Sequence, residues 1–314
     1  MSLAFIFPGQ GSQSVGMGRA LAESFPQAQK VFAEVDDALN QKLSAIMFEG
    51  PEAELTLTAN AQPALMAVSL AVLRVLEAEA GLDLARDAAF IAGHSLGEYS
   101  ALAAAGTFSL ADTARLLRLR GDAMQKAVPV GEGAMAALLG LDYETGVAVA
   151  QEAAQGQVCQ IANDNGGGQV VASGHKAAVE RAMEIAKTRG TKRAILLPVS
   201  APFHCALMQP AADAMAQALA GVTMRSPSVP LVANVLARPI TDAEEIRARL
   251  VEQVTGTVRW RESIAFMAGE GVTSFLELGN GKVLSGLVKR IADTATGTAV
   301  NSPADIEAYR ISRS

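Results

Sequence analysis

Gly93-His94-Ser95-Leu96-Gly97 holds a serine between two glycines. It comes directly after the apolar run Ala88-Ala89-Phe90-Ile91-Ala92 and directly before an alanine-rich stretch that stops at Gly106. A strand that feeds a tight turn and opens a helix is the sequence form of a nucleophile elbow. The turn has no room for large side chains beside the serine, hence glycine on both flanks. It lifts the Ser95 hydroxyl clear of the backbone and sets it at a helix N-terminus, where free N–H groups face any developing negative charge. An ordinary helix N-cap is the alternative role for Ser95; the strand before and the helix after favour the nucleophile. A serine hydroxyl attacks when a base within hydrogen-bond reach takes its proton. The chain has three histidines, His94, His175 and His204. His94 adjoins the serine in the turn, so its side chain points away. His175 starts a predicted helix, where capping or solvent exposure is the ordinary role. His204 follows a strand end in a Pro-containing loop, where catalytic residues of α/β sheets collect, and it is the expected base. Asp112, Asp122, Asp142 and Asp164 lie between serine and histidine in the chain, and none has a distinctive context. A backbone or amide oxygen is left to orient the histidine.

The elements that must position these residues read as alternating strands and helices. Leu3 to Phe7 is a strand that turns out through Pro8-Gly9-Gln10-Gly11, whose glycines let the backbone offer N–H groups at close range. Ser24 to Leu43 and Gln62 to Glu79 carry helical spacing, with Pro63 in a first turn. Leu110 to Lys126 is a helix carrying Arg115, Arg118 and Arg120, which by themselves read as three surface arginines. Gly133 to Ser200 changes rhythm. Strands at Gly133–Leu141, Val158–Ala162, Gln169–Ala172 and Arg193–Val199 enclose helices at Tyr143–Gln155 and Lys176–Thr188, the β-α-β-β-α-β order of a ferredoxin-like subdomain. The predicted organisation is one α/β domain of residues 1–125 and 201–314, with a mostly parallel sheet, interrupted by that subdomain over 126–200. After His204, helices at Leu207–Leu219, Ala243–Val254, Trp260–Gly269 and Val283–Ile291 alternate with strands at Pro230–Asn234 and Thr273–Leu278. The tail beyond Asp293 has no clear pattern.

Composition narrows the function. The 314 residues are 50% hydrophobic and 4% aromatic, which suits helices packed closely on a sheet. A formal charge of −6 with no long basic run argues against nucleic acid as a partner. Cys159 and Cys205 show no metal-ligand spacing and no disulfide framework, which fits a reducing cytosol. The N-terminus lacks a basic n-region and breaks at Pro8-Gly9, so it reads as strand and turn rather than signal peptide. Every apolar run is read as too short to span a bilayer. A cytoplasmic protein without membrane contact is expected, as is a monomer.

Six segments together resemble the malonyl-CoA:acyl-carrier-protein transacylases. They are Phe7-Pro8-Gly9-Gln10-Gly11-Ser12-Gln13, Gly93-His94-Ser95-Leu96-Gly97-Glu98-Tyr99, Leu119-Arg120-Gly121 with Met124-Gln125, Asn163-x-Asn165 with Gly168-Gln169, Phe203-His204, and Glu277-Leu278-Gly279. They keep the family's order from residue 5 to about residue 288, and the set is far more specific than any member. The resemblance implies an α/β-hydrolase-like domain with an inserted ferredoxin-like subdomain. It implies Ser95 as the nucleophile that carries a malonyl ester and His204 as its general base and later acid. It implies an oxyanion hole from the backbone N–H groups of Gln10 and Leu96, and a carbonyl near Gln253 that orients the histidine. Asn163 matches a position near the active site, and Phe203 resembles a residue of malonyl-selective relatives. Arg120 becomes the ligand of the malonyl carboxylate, since a planar guanidinium binds a carboxylate bidentately. No cofactor or metal is implied, and the partners are malonyl-CoA and acyl carrier protein, with Lys192-Arg193 and Lys289-Arg290 as candidate docking charges. Asn280 stands where a proline is common, and Gly166-Gly167 replace a typical Ser-Pro.

Two rival functions share these residues. A serine thioesterase or esterase with the same elbow would pass its acyl group to water, and loss of Arg120 would leave it almost unaffected. A binding module that holds coenzyme A or carrier protein without turnover has no use for Ser95, His204 and Arg120 together.

Overall fold

The computed structural model describes residues 2–199 and 201–313, so the predicted boundary at Ser200 lies outside the described residues. Its strands, in chain order, are β1 (Ser2–Phe7), β2 (Ala88–Gly93), β3 (Gly133–Leu139), β4 (Cys159–Asp164), β5 (Gln169–His175), β6 (Arg193–Leu196), β7 (Leu231–Val232), β8 (Pro239–Ile240), β9 (Val272–Leu278) and β10 (Thr296–Val300). They form two sheets. The larger has the order β10-β9-β1-β2-β7-β8, parallel throughout except for the β7–β8 pair. The smaller has the order β4-β5-β3-β6, and its strand pairs are antiparallel. The predicted β-α-β-β-α-β order holds there, with helices Tyr143–Ala154 and Lys176–Thr188 packed on each other and on the sheet. The smaller sheet is joined to the rest of the chain where Val258, in the segment before the Trp260–Gly269 helix, donates to the Ala162 carbonyl at 2.8 Å and accepts from the Asp164 N–H at 3.0 Å.

Parallel strands with both faces covered read as continuous apolar runs. Ala4, Phe5, Ile6 and Phe7 of β1 are fully buried at the centre of the larger sheet. Their side chains alternate between two cores: Phe5 and Phe7 face the helices Pro26–Leu39 and Thr58–Ala80, and Ala4 and Ile6 face Trp260–Gly269 and Val283–Ile291. Centrality matters because β1 and β2 end side by side, with Phe7 paired to Gly93, so the loops after both emerge at one point.

The structure corrects four readings. The tail is ordered: β10 adds a parallel edge strand to β9, and the helix Pro303–Arg313 follows. The central helix begins at Thr58, so Pro63 lies inside it rather than in its first turn. That helix, Thr58–Ala80, is also long and apolar enough to cross a membrane (mean hydropathy 1.4 over its most apolar window), although 89% of that window is buried inside the protein. The predicted helix from Ser24 to Leu43 ends at Leu39, because Asn40 turns left-handed (φ 47°) and caps it.

The elbow tolerates nothing but glycine at its flanks. A Cβ on Gly93 would lie 1.9 Å from the carbonyl carbon and oxygen of Gly97, and one on Gly97 would lie 2.3 Å from the Phe7 carbonyl oxygen. Backbone cannot yield that much space, so Gly93→Ala is expected to destabilise the fold by at least about 3 kcal/mol. A urea unfolding curve checks this, and a cost under about 1 kcal/mol would mean the turn is looser than its geometry.

Candidate active site

Ser95 sits at the tip of the elbow with φ 54°, a left-handed conformation unusual outside glycine. His204 reaches it from the loop before the helix Gln209–Ala220 and is itself left-handed at φ 58°. Two such residues facing each other are the kind of local strain that functional sites retain. Ser95 Oγ and His204 Nε2 are 2.8 Å apart. On the far side of the ring, Nδ1 lies 2.8 Å from the Gln253 backbone carbonyl. A carbonyl only accepts, so Nδ1 carries the proton and Nε2 is left as the acceptor of the serine O–H. None of the four aspartates considered as an orienting acid bonds to His204. Burial first, and the nearby Arg120 charge second, hold the imidazole well below its usual range, at about 3. The ring is therefore neutral at pH 7, in the form that takes a proton.

Arg120 is 1% exposed. Its Nη2 donates to Ser95 Oγ at 3.2 Å and to Gln253 Oε1 at 2.7 Å, and its Nη1 donates to Gln62 Oε1 at 2.8 Å. Its Cζ lies 5.7 Å from the centre of the Tyr99 ring, and its Nε is buried with no acceptor. Among the described residues it forms no ion pair within 4.0 Å. A buried guanidinium held by neutral amides keeps its charge available for an anion brought from outside.

The two residues expected to supply oxyanion-hole N–H groups, Gln10 and Leu96, belong to turns that pack together. Leu96 is the first residue after the serine, just before the helix Gly97–Ala104. The Pro8–Gly11 turn leans against the elbow closely enough that a Cβ on Gly9 would meet the His94 carbonyl oxygen at 2.7 Å. Among the described residues, neither the Gln10 nor the Leu96 backbone N–H has an acceptor. The Gln10 side chain is tied to the arginine: Thr58 Oγ1 donates to Gln10 Oε1 at 2.9 Å and accepts from Gln62 Nε2 at 3.0 Å.

Sequence reasoning missed Gln62, Glu98 and Asn234. Glu98 lies within the elbow motif, and a carboxylate on an otherwise apolar helix was the available signal. It is 1% exposed and accepts from the Asn234 N–H at 3.0 Å and from Gln253 Nε2. Asn234 in turn donates to the Gly93 carbonyl at 2.7 Å and accepts from the Ser95 N–H at 2.8 Å, pinning both ends of the turn. Burial pushes the Glu98 carboxyl up to about 7. A carboxyl raised from 4.5 in the unfolded chain favours folding below pH 4.5, and that contribution is lost as pH rises through 7. The difference corresponds to about 3 kcal/mol. Between pH 5 and pH 8, wild-type stability should therefore fall relative to Glu98→Gln, whose slope lacks this component. Parallel slopes in paired denaturation curves would show that Glu98 titrates normally.

A family model described as the acyl transferase domain matches residues 4–302. This chain belongs to that family. The acyl transferase is 49% identical over 305 residues to the malonyl CoA-acyl carrier protein transacylase of Escherichia coli K12, covering 97% of both chains. It is 48% identical to the Bacillus subtilis 168 protein of the same name, over 97% of this chain and 95% of that one. Among solved structures, the acyl-carrier-protein-S-malonyltransferase of Bartonella henselae superposes with a TM-score of 0.97 at 59% identity, covering 100% of this chain and 99% of the other. A type II PKS acyl-carrier protein in complex with its malonyl-transacylase matches at 0.96 and 46%, over 99% and 100% of the chains.

The remaining predicted residues stand outside the hydrogen-bonded cluster. Asn163 is buried on β4 and forms an isolated parallel bridge with Val258. Phe203 packs into the main core beside His204. His94 turns away from Ser95, as expected, and bonds to Asn165 Oδ1 at 2.9 Å. His175 occupies the N-cap position of the Lys176–Thr188 helix without a side-chain cap bond, and its Nδ1 instead accepts from the Val158 N–H at 3.0 Å. At the two departures from the family pattern, Asn280 Nδ2 donates to the Ser12 carbonyl and to Ser14 Oγ, and Gly166 and Gly167 are both left-handed, at φ 74° and 59°.

Proposed function

We propose that this acyl transferase moves a malonyl group from malonyl-CoA to the phosphopantetheine thiol of acyl carrier protein. One observation carries the proposal: a buried arginine that forms no ion pair within 4.0 Å among the described residues donates to the same Oγ that bonds to the base. An acyl donor ending in a carboxylate completes that arrangement, and no neutral acyl group does.

In the first half-reaction, the malonyl carboxylate pairs with Arg120, which aligns the thioester carbonyl over Ser95. Nε2 of His204 takes the hydroxyl proton as Oγ attacks. The oxyanion that forms lies toward the Gln10 and Leu96 N–H groups, worth a few kcal/mol in the transition state. His204 then gives its proton to the coenzyme A sulfur as the C–S bond breaks. In the second half, His204 takes the proton of the carrier thiol, the thiolate attacks the ester, and the proton returns to Ser95. Gln253 holds the base with its carbonyl and Arg120 with its side chain. Asn163 and Phe203 border the substrate, and Phe203 narrows the acyl space. The thioester is already activated, so no cofactor enters the scheme. On this reading the chain is an α/β-hydrolase-like domain of residues 1–125 and 201–314 with a ferredoxin-like insert over 126–200, and it acts as a cytoplasmic monomer in fatty-acid synthesis. Lys192-Arg193 on the small sheet and Lys289-Arg290 at a helix end of the large one are exposed and suit an acidic carrier.

Intact-protein mass spectrometry after brief incubation with malonyl-CoA tests the proposal. A single malonyl adduct is expected on wild type, absent from Ser95→Ala and discharged by acyl carrier protein. Steady release of malonate with no adduct would instead assign a thioesterase.

A further inference from the structure

A pocket of about 650 Å³ opens beside the Leu110–Lys126 helix, away from the serine cluster. Its apolar wall is Leu39, Leu119, Pro210 and Ala214, drawn from three helices. Arg118 projects into it, two residues before Arg120 and therefore about 200° around the helix from it. The Arg118 Nε and Nη2 groups are screened from solvent and meet no acceptor. A guanidinium placed so leaves two donors unpaired, a costly arrangement unless an acceptor arrives. The neighbouring cation Arg115 is already paired with Asp112 at 3.0 Å, whereas Asp122, one turn after Arg118, forms no ion pair with it within 4.0 Å among the described residues. Lys126 adds a third cation to the rim, against Asp122 as the lone acid, on a chain whose net charge is −6.

We infer that this pocket binds a small amphiphilic anion, a carboxylate or phosphate on a short hydrocarbon chain, with its head on Arg118 and its tail on the Leu39–Pro210 wall. The volume lies within the roughly 300–1,000 Å³ range of small-molecule sites. The mixture fits such a ligand and not its parts: an inorganic anion would leave the apolar wall wet, and a neutral lipid would leave the guanidinium unpaired. The planar Arg118 guanidinium lines this pocket, and a turn of its flexible side chain presents the two unpaired N–H groups to a two-oxygen acceptor.

Isothermal titration calorimetry of the full chain with octanoate, octyl phosphate and octanol decides the matter. Octanoate or octyl phosphate should bind at one site at least tenfold more tightly than octanol, and whichever binds better identifies the headgroup. Arg118→Gln should weaken that binding at least tenfold. Ala214→Phe, which crowds the apolar wall from the Gln209–Ala220 helix, should weaken it at least tenfold. Saturating malonyl-CoA should leave it unchanged. Equal affinity for octanol, undiminished binding by either variant, or displacement by malonyl-CoA would overturn the inference.

Discussion

Replacing His204 with alanine is expected to slow formation of the Ser95 ester by about 10³-fold or more, the upper part of the range for a positioned general base. The geometry argues for the upper part. Nε2 lies 2.8 Å from the hydroxyl, its lone pair is aimed by the Nδ1–H bond to the Gln253 carbonyl, and among the described residues no other base bonds to Oγ. Rapid-quench mass spectrometry of the adduct gives the rate directly. Wild type should also keep its acylation rate on lowering the pH through 6.5, because the imidazole stays neutral far below its ordinary pKa. A loss of less than tenfold in His204→Ala would mean that the proton leaves by another route.

Arg120→Ala should act on choice of substrate rather than on the proton. Two charge-assisted bonds to a carboxylate, at about 1.5–3 kcal/mol each, predict a drop of about 10²- to 10⁴-fold in kcat/KM for malonyl-CoA. Acetyl-CoA offers no carboxylate, so its far lower rate should change little, and the ratio of the two is the readout. Arg120→Lys should recover only part of the preference, since an ammonium keeps the charge but loses the fork. If both substrates fell equally, Arg120 would be holding the fold through Gln62 and Gln253 instead of reading the acyl group.

The chemistry of this site was legible in the sequence wherever it depends on local geometry. Ser95 was visible because a strand, two glycines and a helix must coincide to make the turn. His204 stood out because only three histidines exist and two have ordinary places. What escaped depends on contacts between distant segments. Gln62, Glu98 and Asn234 are polar residues within apolar or turn sequences, and nothing local distinguishes a buried amide that bridges two loops from one that faces water. The end of the chain escaped for a related reason. Thr296–Val300 has small residues without clear alternation, and it becomes a strand because β9 offers a complete ladder to pair with. Pro303 then opens a helix that packs back on the Thr58–Ala80 helix. The two basic pairs behave likewise. They are far apart in the chain, yet Lys192 lies against Gly140 and Arg290 against Gly167, and the Gly140 N–H donates to the Gly168 carbonyl at 2.6 Å, so it is the fold and not the sequence that brings them near each other.

Gln253 couples functions that a protein engineer would wish to adjust separately. One peptide carbonyl accepts from the His204 ring, while the amide of the same residue accepts from Arg120 and donates to the Ser95 carbonyl. A backbone shift that widens the acyl space through Arg120 therefore also tilts His204. Broader substrate range and slower turnover are geared together at this position, so variants selected for bulkier acyl groups should regain speed through changes that re-anchor the Ala243–Thr255 helix rather than through changes at the serine.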